Sequence, residues 1–193
     1  MKVSVSLFLV IILILPLKSV SQQNYLFTTI VDANSVPVDS VFRLDLSKNK
    51  LIEFPLAILK FKNLKELYLS KNKLTELPQN FHVLNQLEVL DLSKNKFTKF
   101  PISLCSVTSL KQLFMGRNQM TVIPECIGQL KELVVLDIWY NQIDGLPNSI
   151  SNLKKLKNLD LRGVNFNSIT QAKIKALIPW CNIEFDTGCD CAN

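Results

Sequence analysis

The chain has 193 residues, 48% of them apolar and 20% charged, with five glycines, one histidine and a formal net charge of +6. That composition excludes collagen, mucin-like stalks and intrinsic disorder, and the length fits one domain or one continuous array of repeats. With His82 as the sole imidazole, no multi-histidine metal site can form, and any Ser-His or Cys-His pair has to pass through that one residue.

Lys2 precedes an unbroken apolar run from Leu7 to Leu15; Pro16 ends it, and Ser19-Val20-Ser21 supplies small side chains suited to signal peptidase. A helix needs about 20 apolar residues to cross about 30 Å of hydrocarbon. The run is shorter, so residues 1–21 read as a secretory signal, with an uncleaved anchor as the alternative. Its removal takes away Lys2 and Lys18 and no acid, leaving a modest basic excess. No Asn-x-Ser/Thr triplet follows, so N-glycosylation is not expected. Residues 22–40, with the apolar and β-branched stretch from Tyr25 to Val31, read as an N-terminal cap.

From residue 41 onward the chain repeats itself. Val41 to Leu51, Leu64 to Leu74 and Leu87 to Phe97 superpose at a spacing of 23, and Leu110 to Met120 and Leu133 to Ile143 continue the series. A sixth copy starts at Leu156, Leu159 and Leu161. Pro55, Pro78, Pro101, Pro124 and Pro147 fall on the same lattice. In each Leu-x-Leu the two leucines point one way and the middle residue the other, as in a short strand. The row Asn49, Asn72, Asn95, Asn118 and Asn141 stands where the chain turns away, and an amide there can satisfy backbone groups that stacking would bury. Proline starts a return path in which apolar residues recur every third position, for example Phe81, Leu84 and Leu87, a period suited to 3-10 turns. One unit cannot bury its leucines alone, whereas stacked units share a core.

The pattern Leu-x-x-Leu-x-Leu-x-x-Asn-x-Leu followed by x-x-Leu-Pro resembles the leucine-rich repeat family, in its 23-residue class known from Ras-pathway scaffolds and related plant and bacterial proteins. The resemblance covers residues 41–169. It implies an α/β solenoid, a right-handed superhelix with a parallel sheet on its concave side and irregular, 3-10 or short helical segments on its convex side. It also implies a module that binds other proteins, and the chain is expected to be a monomer. In the sixth copy Val164 takes the asparagine slot, so the asparagine row is expected to end there. Residues 170–186 read as a C-terminal cap: a helix over 170–178 with Ser168 or Thr170 as N-cap, then a closing strand from Asn182 to Phe185.

If Leu44 and Leu46 face the core, three outward rows repeat along the sheet. The second row reads Asp45, Tyr68, Asp91, Phe114, Asp137, Asp160. Tyr68, Val89, Phe114, Val135 and Trp139 are apolar or aromatic where water should be, with Asp91 and Asp137 beside them. Such a cluster suits a protein-binding surface, against the simpler reading that scattered surface apolar residues need no explanation. Lys48, Lys71, Lys94 and Arg117 form a basic rim, with Lys50, Lys73 and Lys96 beside it. That rim suits an anionic polysaccharide or an acidic partner, or is repeat inheritance on a solvated edge.

Five cysteines remain. Cys181 could pair with Cys189 or Cys191 in the tail, residues 187–193, while Cys105 and Cys126 lie in neighbouring copies as a bridge or as buried thiols. The alternative for the tail is a metal site from these cysteines with Asp186 or Asp190. No phosphate loop, nucleophile elbow or His-Glu-x-x-His is present, and His82 sits on a return segment. The sequence thus points to no enzyme, cofactor or nucleic-acid partner, and to a secreted, periplasmic or cell-surface location.

Overall fold

The computed structural model describes residues 24–186. The signal segment and the tail with Cys189 and Cys191 lie outside them. One sheet of eight parallel strands runs in chain order: β1 (Leu26–Phe27), β2 (Arg43–Asp45), β3 (Glu66–Tyr68), β4 (Val89–Asp91), β5 (Gln112–Phe114), β6 (Val135–Asp137), β7 (Asn158–Asp160) and β8 (Asn182–Glu184). The register from β2 to β7 advances by one repeat per strand, pairing Leu44 with Leu67, Leu90, Leu113, Leu136 and Leu159 in turn. The middle residue of each of these strands is buried and its neighbours are not, which is the alternation a strand imposes.

Behind the sheet, each proline of the lattice is followed by a 3-10 turn, as in Leu56–Lys60 after Pro55 and Glu125–Gln129 after Pro124. The prolines need no donor there, and their φ of −64° to −76° leads the chain into the turn. Triplets such as Ile58, Phe61 and Leu64, or Ile127, Leu130 and Leu133, are fully buried. They meet the strand leucines in one continuous core.

Asn72, Asn95, Asn118 and Asn141 are buried and hydrogen-bonded in a chain. The side chain of Asn95 donates to the carbonyls of Leu69 and Leu92, and that of Asn118 to Leu92 and Met115. Each amide oxygen in turn accepts a backbone N–H from the preceding turn, Asn118 from Phe97 at 3.0 Å. Asn49, in the first turn, is exposed. In the sixth turn Val164 is buried, and its own N–H bonds the Leu161 carbonyl that an asparagine amide would have reached.

Both ends are covered. At the start, α1 (Ile30–Asn34) is capped by Thr29, whose hydroxyl accepts from the Asp32 N–H, and buries Ala33. At the other end, α2 (Ser168–Leu177) buries Ile174, and β8 closes the sheet. The helix begins earlier than residue 170, and its N-cap is neither Ser168 nor Thr170. Asn167 takes that place, its amide oxygen reaching the Thr170 N–H at 2.8 Å, which the amide does well at this position.

Candidate partner-binding face

The outward side chains of the strands form an open face. Tyr68, Val89, Asp91, Phe114, Val135, Asp137 and Trp139 all lie on it and all are half-buried. Across the strands the second row places Asp91 opposite Phe114 and Phe114 opposite Asp137, about 4.8 Å apart per strand. Val89 and Val135 flank Gln112 one row away.

The aspartates have a backbone task that periodicity alone does not reveal. One oxygen of Asp45, Asp91, Asp137 and Asp160 accepts the N–H two residues on, at 2.8, 2.8, 3.3 and 3.0 Å. These Asx-type bonds shape the exit from each strand. The second oxygen of Asp45, Asp91 and Asp137 stays available to the face, whereas that of Asp160 accepts from Arg162 at 2.6 Å. Burial, together with the nearby Asp160 and Asp91 charges, pushes the Asp137 carboxyl from 3.8 up to about 6, against the opposing Trp139 N–H and Arg162. A raised folded-state pKa means that the ionised form costs stability, fully above pH 6 and not at all below the unfolded value. Asp137→Asn keeps the acceptor for Trp139. It is expected to stabilise the protein by about 2 kcal/mol at neutral pH. Urea denaturation at a series of pH values should show that gain shrinking to nothing near pH 4.

Tyr68 is partly committed within the protein. Its hydroxyl donates to Glu66 at 2.8 Å, and Arg43 Nε donates to the same carboxylate oxygen at 2.8 Å. At the far end Arg162 grips Asp160 with bonds of 3.0 and 2.6 Å and reaches Glu184 at 3.2 Å.

A second feature lies where the face meets its rim. Trp139 packs over Gly116, where a Cβ would overlap its indole, and the Asp137 carboxylate converges on the same spot. Arg117 stacks 4.8 Å from the centroid of Trp139 and 5.3 Å from that of Tyr140, and the two rings meet edge to face. Tyr140 in turn packs over Gly163 and remains 59% exposed. Gly116 is one repeat before Trp139 and Gly163 one repeat after Tyr140, so the missing side chains were readable as space for the rings.

The rim residues share a backbone state. Lys48, Lys71, Lys94, Arg117, Tyr140 and Gly163 all have positive φ, between 52° and 70°. The chain leaves the sheet through this left-handed step, and each of the five non-glycine N–H groups first bonds a carbonyl of the next turn. Their recurrence therefore follows the turn, at a position that disfavours most L-residues. Lys48, Lys71, Lys94 and Arg117 are exposed.

The cysteines divide. Cys105 and Cys126 form a disulfide between neighbouring 3-10 turns, with Cα atoms 5.6 Å apart, rather than remaining as buried thiols. Cys181 is half-buried, and burial pushes its thiol up to about 11. Among the described residues no cluster of three or more His, Cys, Asp or Glu side chains is arranged to hold a metal ion, and no helix is long and apolar enough to cross a membrane.

Models of the leucine rich repeat match residues 39–97, 62–120 and 132–153. The chain belongs to the leucine-rich repeat family. A leucine-rich repeat protein of Leptospira interrogans is 31% identical over 76% of this chain, with a TM-score of 0.64. This chain spans 43% of that protein's length. Internalin C2 of Listeria monocytogenes has the same fold at 21% identity, covering 82% of this chain and 66% of its own, with a TM-score of 0.66. No curated protein matches the chain. The leucine-rich repeat solenoid suits an interaction scaffold, with its sheet face open along β2 to β7.

Proposed function

We propose that this protein is an exported, non-enzymatic binding module that recognises a partner protein on the concave sheet face. The observation that carries this reading is the half-exposed group of Phe114, Val89, Val135 and Trp139 on adjacent strands, bordered by Asp91 and Asp137. Side chains of this kind, grouped on a rigid scaffold, are what binding hot spots are made of. Export is supported by the apolar N-terminal run and by the Cys105–Cys126 bridge, which belongs to an oxidising compartment.

Affinity capture from the native compartment, comparing the wild-type chain with Phe114→Ala/Trp139→Ala, tests the reading. The variant is expected to lose specific partners while keeping its far-ultraviolet circular dichroism and melting temperature close to wild type. Equal capture by both proteins would count against the concave face. The mass of the native protein checks export, since removal of residues 1–21 shifts it by a known amount.

A second reading rests on the rim. Lys48, Lys71 and Lys94 are exposed and take part in no ion pair among the described residues, so an anionic polysaccharide could lie along them. Binding of such a polymer would fall steeply with salt and be lost on replacing these lysines, whereas binding centred on Phe114 would persist.

A further inference from the structure

The sign of the charge on the concave face runs against the rest of the molecule. The chain is basic overall, yet Asp45, Glu66, Asp91, Asp137, Asp160 and Glu184 lie on the sheet face with only Arg43 and Arg162 among them. These two guanidinium groups sit at opposite ends. Arg43 neutralises Glu66 at the start, and Arg162 neutralises Asp160 and Glu184 at the finish. In the middle, Asp91 and Asp137 take part in no ion pair among the described residues. They flank Phe114 on both sides in register. Beside them on the same strands stand Val89, Gln112 and Val135, none of them charged, and the Trp139 indole covers Gly116. Arg117 stacks on the Trp139 and Tyr140 rings and forms no ion pair with either aspartate.

We infer that the cradle formed by Asp91, Phe114 and Asp137 seats one lysine or arginine side chain of the partner protein. This rests on the concave-face reading above and specifies its chemistry. An aromatic face attracts a cation, and two carboxylates about 10 Å apart across it hold that cation from both sides. The half-buried Asp137 carboxyl, pushed up to about 6 by burial and its acidic neighbours, shifts back down toward its ordinary value when a positive group arrives. The rims bound the choice. Lys71, Lys94 and Arg117 on one edge are exposed cations in no ion pair among the described residues that repel a polybasic tract, while Lys65 and Lys111 on the other edge share the Glu88 carboxylate. The occupant is therefore an isolated basic side chain in a neutral or acidic segment, with apolar neighbours for Val89 and Val135. Both attraction and repulsion contribute to the selection.

The test uses a phage-displayed library of random peptides selected on the full chain, with each selected peptide then measured against three proteins. Phe114→Ala reports whether a peptide uses the concave face. Asp91→Asn/Asp137→Asn removes the charge but keeps both backbone acceptors, and circular dichroism confirms that it folds. Peptides that depend on Phe114 are expected to carry a single Lys or Arg, to lose binding when it is replaced by Met, and to bind the double Asn variant roughly tenfold more weakly. Phe114-dependent peptides without that basic residue, or with equal affinity for the double variant, overturn the cation seat and leave the concave reading standing. A selection that yields no Phe114-dependent peptide overturns both.

Discussion

Replacing Asn95 and Asn118 together by alanine is expected to destabilise the protein by more than the sum of the single substitutions. Each alone strips one buried backbone donor of its acceptor, the Leu74 N–H for Asn95 and the Phe97 N–H for Asn118. An orphaned buried group costs about 2 kcal/mol. The carbonyls fare differently, because they are shared. Leu92 receives an amide from both residues, at 3.0 and 3.1 Å, so either single variant leaves it one donor. Only the double variant takes both away, adding about 1–2 kcal/mol of coupling. Asn72 and Asn118 share no carbonyl, so their double variant should be additive. Urea denaturation followed by circular dichroism and by tryptophan fluorescence measures both cycles. The two probes matter because a repeat array can lose one region before another. Additive losses for the adjacent pair would show that the amides act as independent turn caps and not as one ladder.

That coupling illustrates what the sequence made legible and what it did not. A spacing of 23 identified the turn, the strand leucines, the prolines and the asparagine row, because each recurs with the same side chain in the same environment. Leu67, Leu90 and Leu136 are fully buried as the alternation requires. Where a residue's task is set by a bond to a particular backbone group, periodicity is silent. Asp91 and Asp137 read as surface acids, yet each spends one oxygen on a turn. Ser168 and Thr170 have cap-forming side chains, but Asn167 occupies the position whose amide oxygen accepts the otherwise free Thr170 N–H. The basic row reads as charge, and the structure adds that it marks a left-handed step. Pairing across the face was likewise hidden: nothing in the repeat says that Arg43 and Arg162 occupy themselves with Glu66 and Asp160. That is the observation that singles out the middle of the face.

The sequence left the Cys105–Cys126 bridge open beside a pair of buried thiols, for a different reason. The lattice equivalent of Cys105 is residue 128, two positions beyond Cys126, so exact repeat alignment sets the two sulfurs apart. Neighbouring 3-10 turns nonetheless lie side by side, and an offset of two residues falls within the 5.6 Å that separates the Cα atoms. The bridge spans 21 residues of sequence, close to one repeat. Closing a loop of that size restricts the unfolded chain by about 3 kcal/mol. Cys105→Ser/Cys126→Ser is therefore expected to be less stable by about 3 kcal/mol. A reductant should lower wild-type stability to the same level and leave the variant unmoved. Any residual response of the variant would report on Cys181 and the tail. If reductant leaves the wild type unchanged, the two cysteines are thiols in solution, and the support they lend to export falls away. The location of the bridge gives the measurement a functional side. It ties the turn behind β4 to the turn behind β5, the strands that carry Asp91 and Phe114. Peptides seated at Phe114 should thus bind the variant with nearly wild-type affinity at low temperature and lose it on warming, as the clamp that holds those two strands in register is gone.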